Sequence, residues 1–162
     1  MKIFFDMDGT IANLYGVENW LPMLIAEDTK PYAVAKPMVN MNSLARVLNR
    51  LQREGHEIGI ISWTSKGGSK EYNEAVAETK KAWLNKHLAS VKFNEIHIVA
   101  YGTPKAIFAN AEAILFDDEE PNRKAWTGKA YNVNEIIETL KKIWKNLLFF
   151  IKSAWQNAEP VL

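Results

Sequence analysis

The sequence predicts an open α/β fold, a parallel sheet covered by helices, and three observations point to it. Short runs rich in β-branched and aromatic residues recur along the chain, helix-spaced apolar patterns separate them, and carboxylates or hydroxyls stand at the ends of the runs. Strand, helix, strand in this order favours parallel pairing through right-handed crossovers. In such a sheet ligands collect at the carboxyl ends of the strands.

The first element is "KIFFDMDGTIAN" (Lys2 to Asn13), where Ile3, Phe4 and Phe5 read as a buried strand, Asp6 and Asp8 leave the core, and Gly9 turns the chain. From about Leu14 to Val39 the alternation breaks. This segment holds Pro22, Pro31 and Pro37, a short helix expected around Val17 to Glu27, and the rings of Tyr15, Trp20 and Tyr32. An insertion of this length beside an active edge is expected to act as a lid or binding loop. "NSLARVLNRLQREG" then sets Leu44, Val47, Leu48 and Leu51 on one helical face and stops at Gly55.

"EIGIIS" (Glu57 to Ser62) reads as the next strand, followed by a helix with Tyr72, Ala75, Val76, Thr79, Trp83 and Leu84 at helical spacing. "EIHIVA" (Glu95 to Ala100), "AILFDD" (Ala113 to Asp118) and the shorter "KAYNV" (Lys129 to Val133) complete the strands. The last helical pattern runs from about Asn134 through Leu140, Ile143 and Leu147. The expected organisation is one domain over residues 1–162, with the insertion at about 14–42 and an apolar terminal helix at about 134–156.

Composition narrows the function classes. A chain of 162 residues that is 48% hydrophobic can bury one well-packed core. With 20 Lys+Arg against 19 Asp+Glu, the formal charge of +1 supplies no strong nucleic-acid or anionic-membrane signal. The absence of cysteine excludes disulfides, thiolate catalysis and cysteine zinc sites, and fits a reducing compartment. His56, His87 and His97 are scattered and read as structural or surface residues.

Asp6 and Asp8 interrupt the first apolar run before a signal-peptide core forms, so a cytoplasmic location is expected. "IWKNLLFFIKSAW" (Ile143 to Trp155) is apolar, but the stretch between Lys145 and Lys152 is far below the roughly 20 residues of a membrane span. A docked helix and a frayed "NAEPVL" tail are expected there.

Four acidic groups, Asp6, Asp8, Asp117 and Asp118, are expected on one edge, where they repel one another unless a cation sits among them. Oxygen ligands select a hard ion, and Mg2+ suits carboxylates combined with phosphate oxygens. A carboxylate at such an ion can attack phosphorus, forming an aspartyl-phosphate that water cleaves. Ser62 at a strand end and Lys105 in "YGTPKA" offer donors for phosphoryl oxygens. Asp8, two residues past Asp6, fits proton transfer to the leaving oxygen and from water. Singly, each is explained by a cap, a turn or a solvated lysine; their joint order favours a site.

"DMDGT" after an apolar strand, "IIS", the lysine of "TPK" and "ILFDD" resemble the four motifs of the haloacid dehalogenase-like (HAD) phosphohydrolases, from Lys2 to about Val133. The resemblance implies a Rossmann-like sheet with the first strand central and a magnesium-dependent phosphotransfer site. It implies Asp6 as nucleophile and metal ligand, and Asp8 as general acid/base whose backbone carbonyl also binds the metal. Ser62 would bind phosphate, with Thr64 and Ser65 able to share or take over that role. Lys105 would hold nucleophile and phosphoryl charge, while Asp117 and Asp118 complete the metal site, Asp118 being preferred for direct ligation. The insertion resembles the small cap of such enzymes.

"KKAWLNKHL" followed by "FNEIHIV" is similar to the 5'(3')-deoxyribonucleotidase branch, which implies a small-molecule phosphate ester such as a nucleoside monophosphate. A base could stack on Tyr15, Trp20 or Tyr32, and core packing explains those rings as well. Two other readings stay open: a phosphatase of nucleic-acid ends, disfavoured by the charge balance, and a non-catalytic phosphate-binding protein of the same fold.

Overall fold

A computed structural model describes residues 1–145. In chain order the elements are β1 (Lys2–Phe5), β2 (Ala12–Asn13), α1 (Trp20–Ile25), α2 (Lys30–Val34), β3 (Lys36–Pro37), α3 (Met41–Arg53), β4 (Glu57–Trp63), α4 (Lys70–His87), β5 (Glu95–Val99), β6 (Ile114–Phe116), α5 (Glu120–Ala125) and β7 (Lys129–Tyr131). A further helix, α6, spans 136–145. The apolar run to Trp155 and the "NAEPVL" tail extend beyond the described residues.

The main sheet has the order β5-β4-β1-β6-β7, every pairing is parallel, and β1 is central. It is therefore an open α/β sheet of the Rossmann-like kind. Alternation along β1 explains its two faces. Ile3 and Phe5 join Leu44, Leu48 and Leu51 of α3 and Trp83 and Leu84 of α4 in one cluster. Phe4 points the other way, to Ile61, Leu115 and Trp126. Its ring meets Trp126 edge-on at 5.8 Å, and the Trp126 indole donates to the Ala113 carbonyl at 3.0 Å.

Gly59 is paired with Phe4 across β1 and β4. A Cβ on Gly59 would lie 2.4 Å from Phe4 Cε1, so the absent side chain makes room for the ring.

Local signals set the helix ends. Asn40 caps α3 through a bond from the Ser43 amide, and Ser69 caps α4 through one from Tyr72. On α4 the buried residues are Tyr72, Val76, Lys80, Trp83 and Leu84. Ala75 is exposed and Thr79 half-buried, so the inward stripe runs through Lys80 rather than through them.

The insertion after β1 folds into α1 and α2 and is closed by the antiparallel pairing of β2 with β3. The short helix expected around Val17 to Glu27 is confined to Trp20–Ile25, between Asn19 and Glu27, both at positive φ. Helix α4 anchors the insertion along its length. Glu27 accepts from the amide and hydroxyl of Ser69 at 2.6 and 2.7 Å, Tyr72 Oη donates to the Asp28 carbonyl at 3.1 Å, and Trp83 Nε1 donates to the Ala35 carbonyl at 2.7 Å. Among the described residues, no helix is long and apolar enough to cross a membrane.

Candidate active site

The carboxyl ends of β1, β4 and β6 meet at one place because these strands are adjacent and parallel. The Asp6 amide still donates to Phe116 O at 2.9 Å, and the Asp117 amide to Tyr131 O at 3.2 Å. Both aspartates therefore leave the sheet while their backbones are held by it.

The turn that follows explains the "DGT" triplet. Gly9 has φ +78°, and a Cβ there would lie 2.4 Å from Asp118 Oδ2. Buried Thr10 ties the two loops together: its hydroxyl donates to Asp118 Oδ1 and accepts from the Asp118 amide, both at 3.1 Å. Arg123 supports the second loop by donating to the carbonyls of Asp117 and Asp118 at 2.7 and 2.6 Å.

Two buried lysines divide the carboxylates between them. Lys105, in a 3-10 turn at Lys105–Phe108, lies 2.7 Å from Asp6 Oδ1 and 2.7 Å from Asp117 Oδ2. Lys80 lies 2.5 Å from Asp8 Oδ2. Asp117 is fully buried; it also accepts from the Asn122 amide and the Glu119 backbone. Asp118 instead lines an open cavity with Asp6, Asp8 and Lys105.

The electrostatics follow from this packing. Burial, then the charges of Asp6 and Asp117, push the Asp118 carboxyl up to about 6. Burial raises Asp8, and Lys80 opposes the shift. Burial and Asp6 raise Asp117, opposed by Lys105. Burial depresses Lys105, but Asp6 and Asp117 outweigh it and the net shift is upward.

Asp6, Asp117 and Asp118 each offer one carboxylate oxygen, and the three atoms lie within 4.8 Å of one another. With all four carboxylates ionised, the two lysines leave a deficit of two positive charges, which fits a divalent cation.

The cavity has a volume of about 320 Å3. Tyr15, Trp20, Leu24 and Tyr32 wall it from the insertion, and Trp63, Thr64 and Tyr101 from the sheet side. Tyr15 and Trp20 meet edge-on at 5.1 Å, and Trp63 and Tyr101 lie 5.1 Å apart. Lys105 sits under the Trp63 ring at 4.9 Å.

Asp6, Asp8, Asp118, Lys105, Thr64 and Trp20 thus gather around one space. Ser62 does not reach it. Its side chain is fully buried and its hydroxyl accepts from Lys80 at 3.0 Å, because β-strand alternation turns it toward α4. Thr64 and Ser65, just past the strand, both line the cavity. Sequence reasoning did not single out Lys80, Thr10, Arg123, Trp63 or Tyr101. Lys80 had a signal, four residues after Val76 and three before Trp83 on an inward stripe.

No family model matches the chain, and no curated protein matches it. Solved structures similar to it include a D,D-heptose 1,7-bisphosphate phosphatase from Burkholderia thailandensis, 13% identical over 76% of this chain and 70% of that one, with a TM-score of 0.49. A chain of the Pnkp1/Rnl/Hen1 complex is 17% identical over 82% of this chain and 45% of its own, also at 0.49.

Proposed function

We propose that the chain is a magnesium-dependent phosphomonoesterase acting through phosphorylated Asp6 on a small phosphate ester, such as a (deoxy)nucleoside monophosphate. The observation that carries this reading is the cavity floor, where Asp6, Asp8 and Asp118 stand beside Lys105, whose ammonium is 2.7 Å from Asp6. A nucleophile, a proton carrier, cation ligands and a fixed positive charge are the parts phosphoryl transfer requires.

Asp6 and Asp118, with the Asp8 backbone carbonyl, are the groups to hold Mg2+. When bound, the ion neutralises charge on the transferring phosphoryl group. Lys105 orients the Asp6 carboxylate and faces the phosphoryl oxygens, and Asp117 holds Lys105 in place. Thr64 and Ser65 line the cavity and offer the hydroxyls first sought at Ser62. Asp8 exchanges the proton with the leaving oxygen and with water. The cavity volume lies at the small end of ligand sites, roughly 300–1,000 Å3, and its aromatic walls suit a flat ring attached to the ester.

The test is phosphate release from nucleoside monophosphates, sugar phosphates and p-nitrophenyl phosphate, with Mg2+ or with chelator, for the parent and Asp6→Asn. Release that needs Mg2+ and disappears in a folded Asp6→Asn supports the mechanism; full activity in that variant defeats it. Phosphorylated oligonucleotide ends enter as competitors. If they outcompete mononucleotides with a steep salt dependence, the substrate class moves to nucleic-acid ends.

A further inference from the structure

Lys80 is 1% exposed, on a helix face otherwise apolar at Val76, Trp83 and Leu84. Its ammonium donates to Asp8 Oδ2 at 2.5 Å, Ser62 Oγ at 3.0 Å and Trp63 O at 2.6 Å, and the Tyr32 ring covers it at 5.0 Å. An ammonium has three N–H donors, so these acceptors use all of them. None remains for a phosphate oxygen. A buried ammonium is costly even when paired, and an apolar side chain would suit this stripe better on stability grounds.

Asp8 also lines the cavity, and among the described residues its Oδ1 accepts no hydrogen bond. We propose that Lys80 is a positioning residue for Asp8: it pins Oδ2 against the end of β4, so that Oδ1 is the atom presented to the leaving oxygen. This role rests on the phosphatase reading above. An Asp6 oxygen forms a bond to phosphorus as the ester P–O bond breaks, and the leaving oxygen takes the proton from Asp8 Oδ1. Water then attacks phosphorus, its proton passes to Asp8 Oδ1, the bond between Asp6 and phosphorus breaks, and phosphate departs. A proton on Oδ2 would face another donor, so the contact with Lys80 keeps it on Oδ1.

The experiment compares two esters of matched shape, p-nitrophenyl phosphate, whose leaving oxygen departs readily without a proton, and phenyl phosphate, whose leaving oxygen needs one. Lys80→Met should lower kcat/KM for phenyl phosphate by about 100-fold and for p-nitrophenyl phosphate by less than about tenfold, with both KM values little changed. In an Asp8→Asn background, Lys80→Met should add no further loss. Equal losses on both esters, or a further loss in that background, would overturn the role.

If circular dichroism shows Lys80→Met unfolded, Ser62→Ala carries the test, since it removes one anchor of the ammonium. The same preference for p-nitrophenyl phosphate, at a few-fold, is then expected, and an equal loss on both esters overturns the role. A parent that releases phosphate from neither aryl ester, nor from the nucleoside monophosphates and sugar phosphates, overturns the phosphatase reading and this role with it. A parent that cleaves both, with variants that treat them alike, overturns the role of Lys80 alone.

Discussion

Lys105 bridges Asp6 and Asp117, its Nζ 2.7 Å from an oxygen of each, at a point where all three side chains are buried. Removing one partner of such a group strands the others, which typically costs about 3–5 kcal/mol. Lys105→Met is expected to lose phosphate release and to melt well below the parent. Adding Asp117→Asn should restore part of the stability and none of the activity. Thermal melts of the single and double variants decide it, and an unchanged melt in Lys105→Met would contradict a buried bridge.

Asp118 sets a pH dependence whose sign is opposite to that of a salt-bridged carboxylate. Its folded pKa is raised from 3.8 to about 6, so its contribution to stability is fully present below 3.8 and is lost as pH rises through about 6. Above that pH, metal-free Asp118→Asn should be more stable than the parent by about 1 kcal/mol, after allowing for solvent screening of a partly exposed group. The difference should fade by about pH 4. Mg2+ should raise the melting temperature of the parent more than that of the variant.

Glu27 clasps the insertion to the start of α4 through both polar groups of Ser69. Cutting this clasp leaves the floor intact and loosens the wall that carries Trp20 and Leu24. Glu27→Ala should therefore raise KM by about fivefold, equivalent to roughly 1 kcal/mol, with kcat nearly unchanged. A fall in kcat at constant KM would place Glu27 in a different role.

Gly59 admits the Phe4 ring, which would meet a Cβ at 2.4 Å. Gly59→Val should destabilise the sheet by about 1–3 kcal/mol through overpacking. Pairing it with Phe4→Ala should recover part of that loss in a denaturant titration, because the clashing ring is gone. Failure of the pair to recover any stability would locate the strain elsewhere.

Much of the architecture was legible because apolar patterning is local. Ile3 to Phe5 and Ile58 to Ile61 announce buried strands, and Leu44, Val47, Leu48 and Leu51 announce one face of a helix. Strand ends were less legible: β6 closes at Phe116, since Asp117 and Asp118 bend away to meet Lys105 and Thr10. The stripe on α4 runs through Lys80 rather than through the expected Ala75 and Thr79, because a lysine is ordinarily assigned to water and only its buried acceptors justify placing it inside.

By itself the sequence determined the alternating order of strands and helices and the placement of Asp6, Asp8, Asp117 and Asp118 at strand ends, since both follow from residue type and spacing along one chain. Only the tertiary structure decided which side chains share the cavity. Ser62 faces α4 while Thr64 faces the opening, Asp117 serves Lys105 while Asp118 faces the cavity, and Lys80 crosses from a helix to Asp8. Those outcomes depend on strand register, on the side of the sheet each residue takes, and on contacts between segments distant in sequence. Periodicity within a segment does not contain them.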